Sequence, residues 1–112
     1  MVAIKPPHKG DLVSIYFEVQ GGHEQHGWRP SLVISNDLFN SRTGMAFVCP
    51  ITQTDRGYPF HVALGETAGI TGHVMVDQVR SIDFAARRAK FLGSASDRLV
   101  AEVLAILDAC MY

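Results

Sequence analysis

Gly22-His23-Glu24-Gln25-His26-Gly27-Trp28-Arg29-Pro30-Ser31-Leu32-Val33-Ile34 is the stretch on which the reading of this chain turns. Its first nine residues carry a carboxylate and two imidazoles between glycines, and an arginine just after them. Its last four are an apolar strand. A glycine-bounded charged loop feeding a stiff buried strand holds reactive side chains at the rim of a small sheet. Upstream, Val13, Ile15, Phe17 and Val19 alternate with Ser14, Tyr16 and Glu18, the period of a half-buried strand, and Gly21-Gly22 ends it. Downstream, Leu32–Ser35 is the second strand. Asn36 or Asp37 can cap a short helical turn through Phe39 to Arg42 that Gly44 closes.

Met45 to Ile51 is nearly continuous in apolar residues and reads as a central strand covered on both faces. It runs into Pro50-Ile51-Thr52-Gln53-Thr54, which adds hydroxyls and an amide. Asp55-Arg56-Gly57-Tyr58-Pro59 is a turn cluster. Phe60, Val62 and Leu64 alternate as another strand, and Gly65 to Gly72 is a loop. Val74 to Ile82 continues as a strand with Asp77-Gln78 near its centre; Asp83 starts a helical turn, and Ala89 to Leu92 is a last short strand. From Asp97 the period changes: Leu99, Val103, Ile106, Leu107 and Cys110 recur at helical spacing behind a Ser96 or Asp97 cap. The pattern predicts five to seven short strands with brief helical turns, then one helix packed on the sheet. It is a mainly β fold with short helices, a small SH3-like barrel carrying a C-terminal helix.

The 112 residues form one domain by length, 1–112, without a repeat or linker. The apolar run of five from Met45 to Cys49 is far below the ~20 residues that span a bilayer. Met1-Val2-Ala3-Ile4-Lys5-Pro6-Pro7 has no apolar signal core, which argues against secretion and for the cytoplasm. Cys49 in an apolar strand and Cys110 on the final helix read as core thiols in a reducing compartment. The formal net charge of −1 argues against an indiscriminate nucleic-acid coat. A local phosphate groove remains open, because Arg80, Arg87, Arg88 and Lys90 crowd one stretch while Arg29, Arg42 and Arg56 sit in or beside loops.

His23 and His26 do not match the helical zinc-protease spacing and have no evident third ligand, so no metal site is expected. The chain has no phosphate-binding glycine loop, dinucleotide fingerprint, paired-cysteine motif or nucleophile elbow, so no cofactor is expected. That leaves chemistry done by side chains, and RNA cleavage suits it. The 2′-hydroxyl is a nucleophile already beside phosphorus. Glu24 can take its proton. Arg29 is a planar donor fork matched to phosphate oxygens, better suited to stabilising charge than to giving up a proton. Thr52 can donate to the same phosphate, and either His23 or His26 can protonate the leaving oxygen. Each has a plainer reading too: Glu24 as a loop carboxylate, Arg29 paired with a surface acid, Thr52 bonding backbone at a strand end. Trp28, the only tryptophan, suits base stacking or a partner interface as well as core filling. Asp77-Gln78 can read a base edge or bond within the fold.

Gly10-Asp11-Leu12-Val13, Glu24-Gln25-x-Gly27-x-Arg29-Pro30, Pro50-Ile51-Thr52-Gln53, Gly57-Tyr58-Pro59-Phe60, Asp77-Gln78-Val79-Arg80-Ser81 and Gly93 follow one another in the order found in the MazF/PemK toxin endoribonucleases. The resemblance covers nearly the whole chain. It implies a CcdB/PemK-like barrel, catalysis by Arg29 and Thr52 with Glu24 assisting, and RNA contacts from Gln25, His26, Trp28, Gln53, Arg56, Gln78, Arg80 and Arg87. The implied activity is metal-independent, sequence-specific cleavage of single-stranded RNA, mainly mRNA, to 2′,3′-cyclic phosphate and 5′-hydroxyl ends, which inhibits translation. It also implies a homodimer and a cognate antitoxin whose disordered C-terminal segment blocks the groove. The rival on the same fold is a CcdB-like topoisomerase poison that cleaves nothing; a peptide-binding SH3-like module would need more clustered aromatics.

Overall fold

The computed structural model describes residues 5–17 and 27–112. The elements run β1 (Asp11–Phe17), β2 (Gly27–Val33), α1 (Asp37–Thr43), β3 (Met45–Thr52), β4 (His61–Ala63), β5 (His73–Met75), a 3-10 turn (Val76–Gln78), β6 (Arg80–Asp83), β7 (Lys90–Ser94) and α2 (Asp97–Met111). The seven strands form one antiparallel sheet in the order β4-β5-β3-β2-β1-β7, with β6 joined to the first half of β3. β3 therefore carries β2 along one edge and shares the other between β6 and β5. The mainly β fold with a closing helix is as expected. The sheet itself stays open rather than closing into a barrel, because β4 and β7 end it and do not pair with each other.

Two apolar clusters occupy the two faces. Leu12, Leu32, Cys49, Ile51, Val62 and Val74 pack beneath Leu99, Val100 and Val103 of α2. Val13, Ile15, Val33, Ala46, Val48 and Ile82 pack on the other face under Phe84, with Phe17 and Ala89 at the margin. The strict alternation of β1 to β3 follows from this: each strand is covered on both sides, so successive residues enter different clusters. Fully burying one such side chain is worth about 1.5–3 kcal/mol. The segment after β6 is tied back to β1 where Tyr16 N–H donates to the Arg87 carbonyl at 3.1 Å.

α1 begins at Asn36, whose side chain accepts from Phe39 N–H at 2.8 Å, and ends at Gly44, whose φ of 72° lets the cap N–H reach the Asn40 carbonyl. α2 starts at Ser96, which accepts from Leu99 N–H. Three details differ from the sequence reading. β2 starts at Gly27, so Gly27 to Pro30 are strand rather than loop. The stretch from Val74 to Ile82 is two strands divided by the 3-10 turn, with Asp77-Gln78 on that turn. Cys110 is exposed, since α2 outruns the sheet beneath it; only Cys49 is a core thiol, and burial, aided by the nearby Asp77 carboxylate, pushes it up to about 12.

Candidate active site

The β2–β3 register relates the faces of the two principal candidates. Ser31 pairs with Pro50, Leu32 with Cys49 and Val33 with Val48. The pairing ends at Ser31–Pro50, and Arg29 and Thr52 lie two residues further along their own strands. Alternation puts Arg29 on the face of Ser31 and Val33, and Thr52 on the face of Val48 and Pro50, which is the same face. Arg29 is exposed and Thr52 half-buried. The guanidinium and the hydroxyl thus look out over one surface, beyond the end of the Val33–Val48 cluster.

Thr52 has firm neighbours. It pairs with His73 across β3–β5, and its hydroxyl oxygen accepts from Thr54 N–H at 3.2 Å. Gln53 is clamped to the loop just before β5: its amide donates to the Thr71 carbonyl at 2.6 Å and accepts from the Thr71 hydroxyl at 3.3 Å. Gly72 makes the close approach possible. Its φ is +127°, and a Cβ there would lie 2.5 Å from the Thr52 carbonyl oxygen. His73 follows directly, with Nε2 3.7 Å from Asp55 Oδ1.

A cationic-aromatic group extends the same face. Phe17 stands two residues beyond Ile15, the partner of Arg29. Over its ring lie the guanidinium groups of Arg80 at 5.0 Å and Arg87 at 5.9 Å from the centroid. Arg80 pairs with Val48, which fixes it to this face. Trp28 goes elsewhere. Being adjacent to Arg29 in a strand, it points through the other face, edge-on to Tyr16 with Lys90 Nζ 4.6 Å from its ring centroid. The structure therefore does not bring Trp28 to the Arg29 surface. Arg56 and Gln78 are exposed, the latter on the 3-10 turn. Glu24, Gln25 and His26, together with His23, lie outside the described residues.

Sequence reasoning missed two members of this surface. Strand alternation makes Phe17 a core position, and its place beneath two arginines depends on the return of the chain after β6. His73 was passed over because it opens a strand of three residues after a loop, where no periodicity marks it. The only signal was the Thr71-Gly72-His73 sequence itself, a glycine needed for close approach beside a polar strand start.

Residues 8–111 match the family model described as PemK-like, MazF-like toxin of type II toxin-antitoxin system. The chain belongs to this family. It is 41% identical over 109 residues to the endoribonuclease toxin ChpB of Escherichia coli K12, covering 90% of each protein. It is 39% identical over 98 residues to the endoribonuclease toxin MazF of the same strain, covering 86% of each. Among solved structures, a chain of the crystal structure of MazE-MazF (Form-II) from Deinococcus radiodurans superposes with a TM-score of 0.86 at 42% identity, over 94% of this chain and 95% of that one. That family membership removes the topoisomerase-poison alternative in favour of the endoribonuclease toxins.

Proposed function

We propose that this chain is a MazF/ChpB-like endoribonuclease toxin of a type II toxin-antitoxin system, a single toxin domain over residues 1–112. It cuts single-stranded RNA, mainly mRNA, at specific sequences without a metal, leaves 2′,3′-cyclic phosphate and 5′-hydroxyl ends, and so inhibits translation. The observation that supports the mechanism is the β2–β3 register, Ser31 opposite Pro50 and Val33 opposite Val48, from which strand alternation puts Arg29 and Thr52 on one face. A phosphodiester lying over that pair meets a planar cation and a hydroxyl donor together. The 2′-oxygen attacks phosphorus as Glu24 takes its proton. Charge builds on the non-bridging oxygens, where the Arg29 fork and the Thr52 hydroxyl hydrogen-bond it most strongly in the transition state. Removing one such donor costs about 3–4 kcal/mol. Arg80 and Arg87 extend the positive surface along which the RNA backbone tracks.

The chain works in the cytoplasm, where mRNA is; among the described residues no helix is long and apolar enough to cross a membrane. It acts as a homodimer and is neutralised by an antitoxin whose disordered C-terminal segment covers the groove, an acidic tail matching the arginines.

The test is incubation of the purified protein with a long single-stranded RNA in excess EDTA, with new 5′ ends mapped. Discrete cuts are expected, lost in Arg29→Ala at unchanged circular dichroism. A 2′-deoxy nucleotide immediately before the cut should block it. Intact RNA with a folded parent protein overturns the activity, and cleavage of the deoxy substrate overturns the internal-nucleophile mechanism.

A further inference from the structure

The proposed reaction lacks an acid for the departing 5′-oxygen among the groups assigned so far, since Arg29 holds its protons too tightly and Thr52 is a far weaker acid. Building on the ribonuclease reading above, we infer that His73 is that acid.

Three observations carry this. First, His73 is the direct cross-strand partner of Thr52, so the two side chains leave the same face as neighbours, with Cβ atoms about 4.5–5.5 Å apart in such a pair. Second, the position is held firmly. Gly72 packs against the Thr52 carbonyl where no other residue fits, and the Gln53–Thr71 double hydrogen bond locks the next step of the chain. Third, the ring's two nitrogens differ. Nδ1 is buried and has no hydrogen-bond partner among the described residues, whereas Nε2 stands 3.7 Å from Asp55 Oδ1. That separation is too long for a hydrogen bond. Nε2 is thus the nitrogen offered to a substrate, next to the hydroxyl that grips the phosphate. Asp55 is exposed, and its Oδ1 accepts from Gly57 N–H at 2.9 Å.

The step balances. The O2′–P bond forms as the 2′-hydroxyl proton passes to Glu24. The P–O5′ bond breaks with its electron pair on O5′, and O5′ takes the proton from His73 Nε2. The products are the cyclic phosphate and a neutral 5′-hydroxyl. Solvent then returns a proton to His73 and removes one from Glu24. Imidazole suits the task because it changes charge near neutral pH, and general acids of this kind contribute roughly 10²–10⁴-fold.

A leaving-group acid has a signature that a structural histidine lacks. An RNA carrying sulfur in place of O5′ at the mapped cut site expels a thiolate, which needs no proton. Parent, His73→Gln and Arg29→Ala are compared on the oxygen- and sulfur-linked forms of one sequence. His73→Gln is expected to cut the oxygen-linked RNA about 10²-fold or more slowly and to recover most of that loss on the sulfur-linked RNA; Arg29→Ala should lose both. The sulfur-to-oxygen rate ratio within one preparation does not depend on the folded fraction, and His73→Asn gives the same ratio should the glutamine variant fold poorly. Equal losses on both substrates, or none on either, overturn the assignment. A parent protein that cuts neither RNA overturns the ribonuclease reading, and this inference with it, which is a different result from parent cleavage with an unchanged ratio.

Discussion

At Gly72 a single missing Cβ holds the end of β3 and the start of β5 together. Any L side chain there meets both an unfavourable φ of +127° and the Thr52 carbonyl oxygen at 2.5 Å. Gly72→Ala is therefore expected to destabilise the protein by about 1–3 kcal/mol, read as a lower midpoint in urea. RNA cleavage should fall further than the lost folded fraction explains, because Thr52 and His73 move apart. A variant with parental stability and activity would show that the approach relaxes at no cost. Arg29 and Trp28 make the complementary point. They are neighbours in the chain, and the sequence shows both as candidates, but a strand sends them to opposite faces. Reading Gly27 to Pro30 as loop hid that separation.

Among the elements, α1 is anchored to more than the sheet. Asn40 is fully buried on it, and its amide donates to the Pro7 carbonyl at 2.9 Å and to the Ser35 carbonyl at 3.2 Å. Asn40→Ala leaves those carbonyls unpaired in the interior and should cost about 1–3 kcal/mol, measured by denaturant unfolding; a loss under half of that would mean water replaces the amide. The leader is tied on again by His8, whose Nδ1 lies 2.9 Å from Asp37 Oδ2. The hydrogen bond and charge of Asp37 raise the His8 pKa above 6.5, and the hydrogen bond from His8 lowers that of Asp37 below 3.8. The signs are opposite. The histidine's contribution is complete below 6.5 and vanishes as pH rises through its higher folded value; the aspartate's is complete above 3.8 and vanishes as pH falls through its lower one. The Tm difference between the parent and His8→Ala should be largest near pH 5 and shrink toward pH 8 (about one unit or more past the ordinary histidine range). Both groups are exposed, so the effect is small and salt-sensitive; a difference independent of pH would remove the ion pair as its source.

Across the whole molecule, charge is distributed rather than abundant. A net charge of −1 coexists with a face on which Arg80 and Arg87 lie over Phe17 and to which Arg29 also belongs. Affinity for a non-cleavable single-stranded RNA should fall with salt despite the neutral total. Arg80→Gln and Arg87→Gln should each reduce the slope of log K against log salt by about 0.7. Unchanged slopes in both variants would place the RNA on another surface. Among the described residues, β4 and β7 end the sheet without pairing with each other.

The sequence alone determined the strand-rich fold, the capped helices that begin at Asp37 and Asp97, and the family, because alternation, capping and local motifs are encoded by residues near one another. Tertiary structure decided what depends on distant segments meeting. It sent Trp28 to Tyr16 and Lys90 rather than to Arg29, split the stretch from Val74 to Ile82, exposed Cys110, and left the sheet open. It also set His73 beside Thr52, 21 positions earlier in the chain, through a pairing register that no pattern in either segment announces.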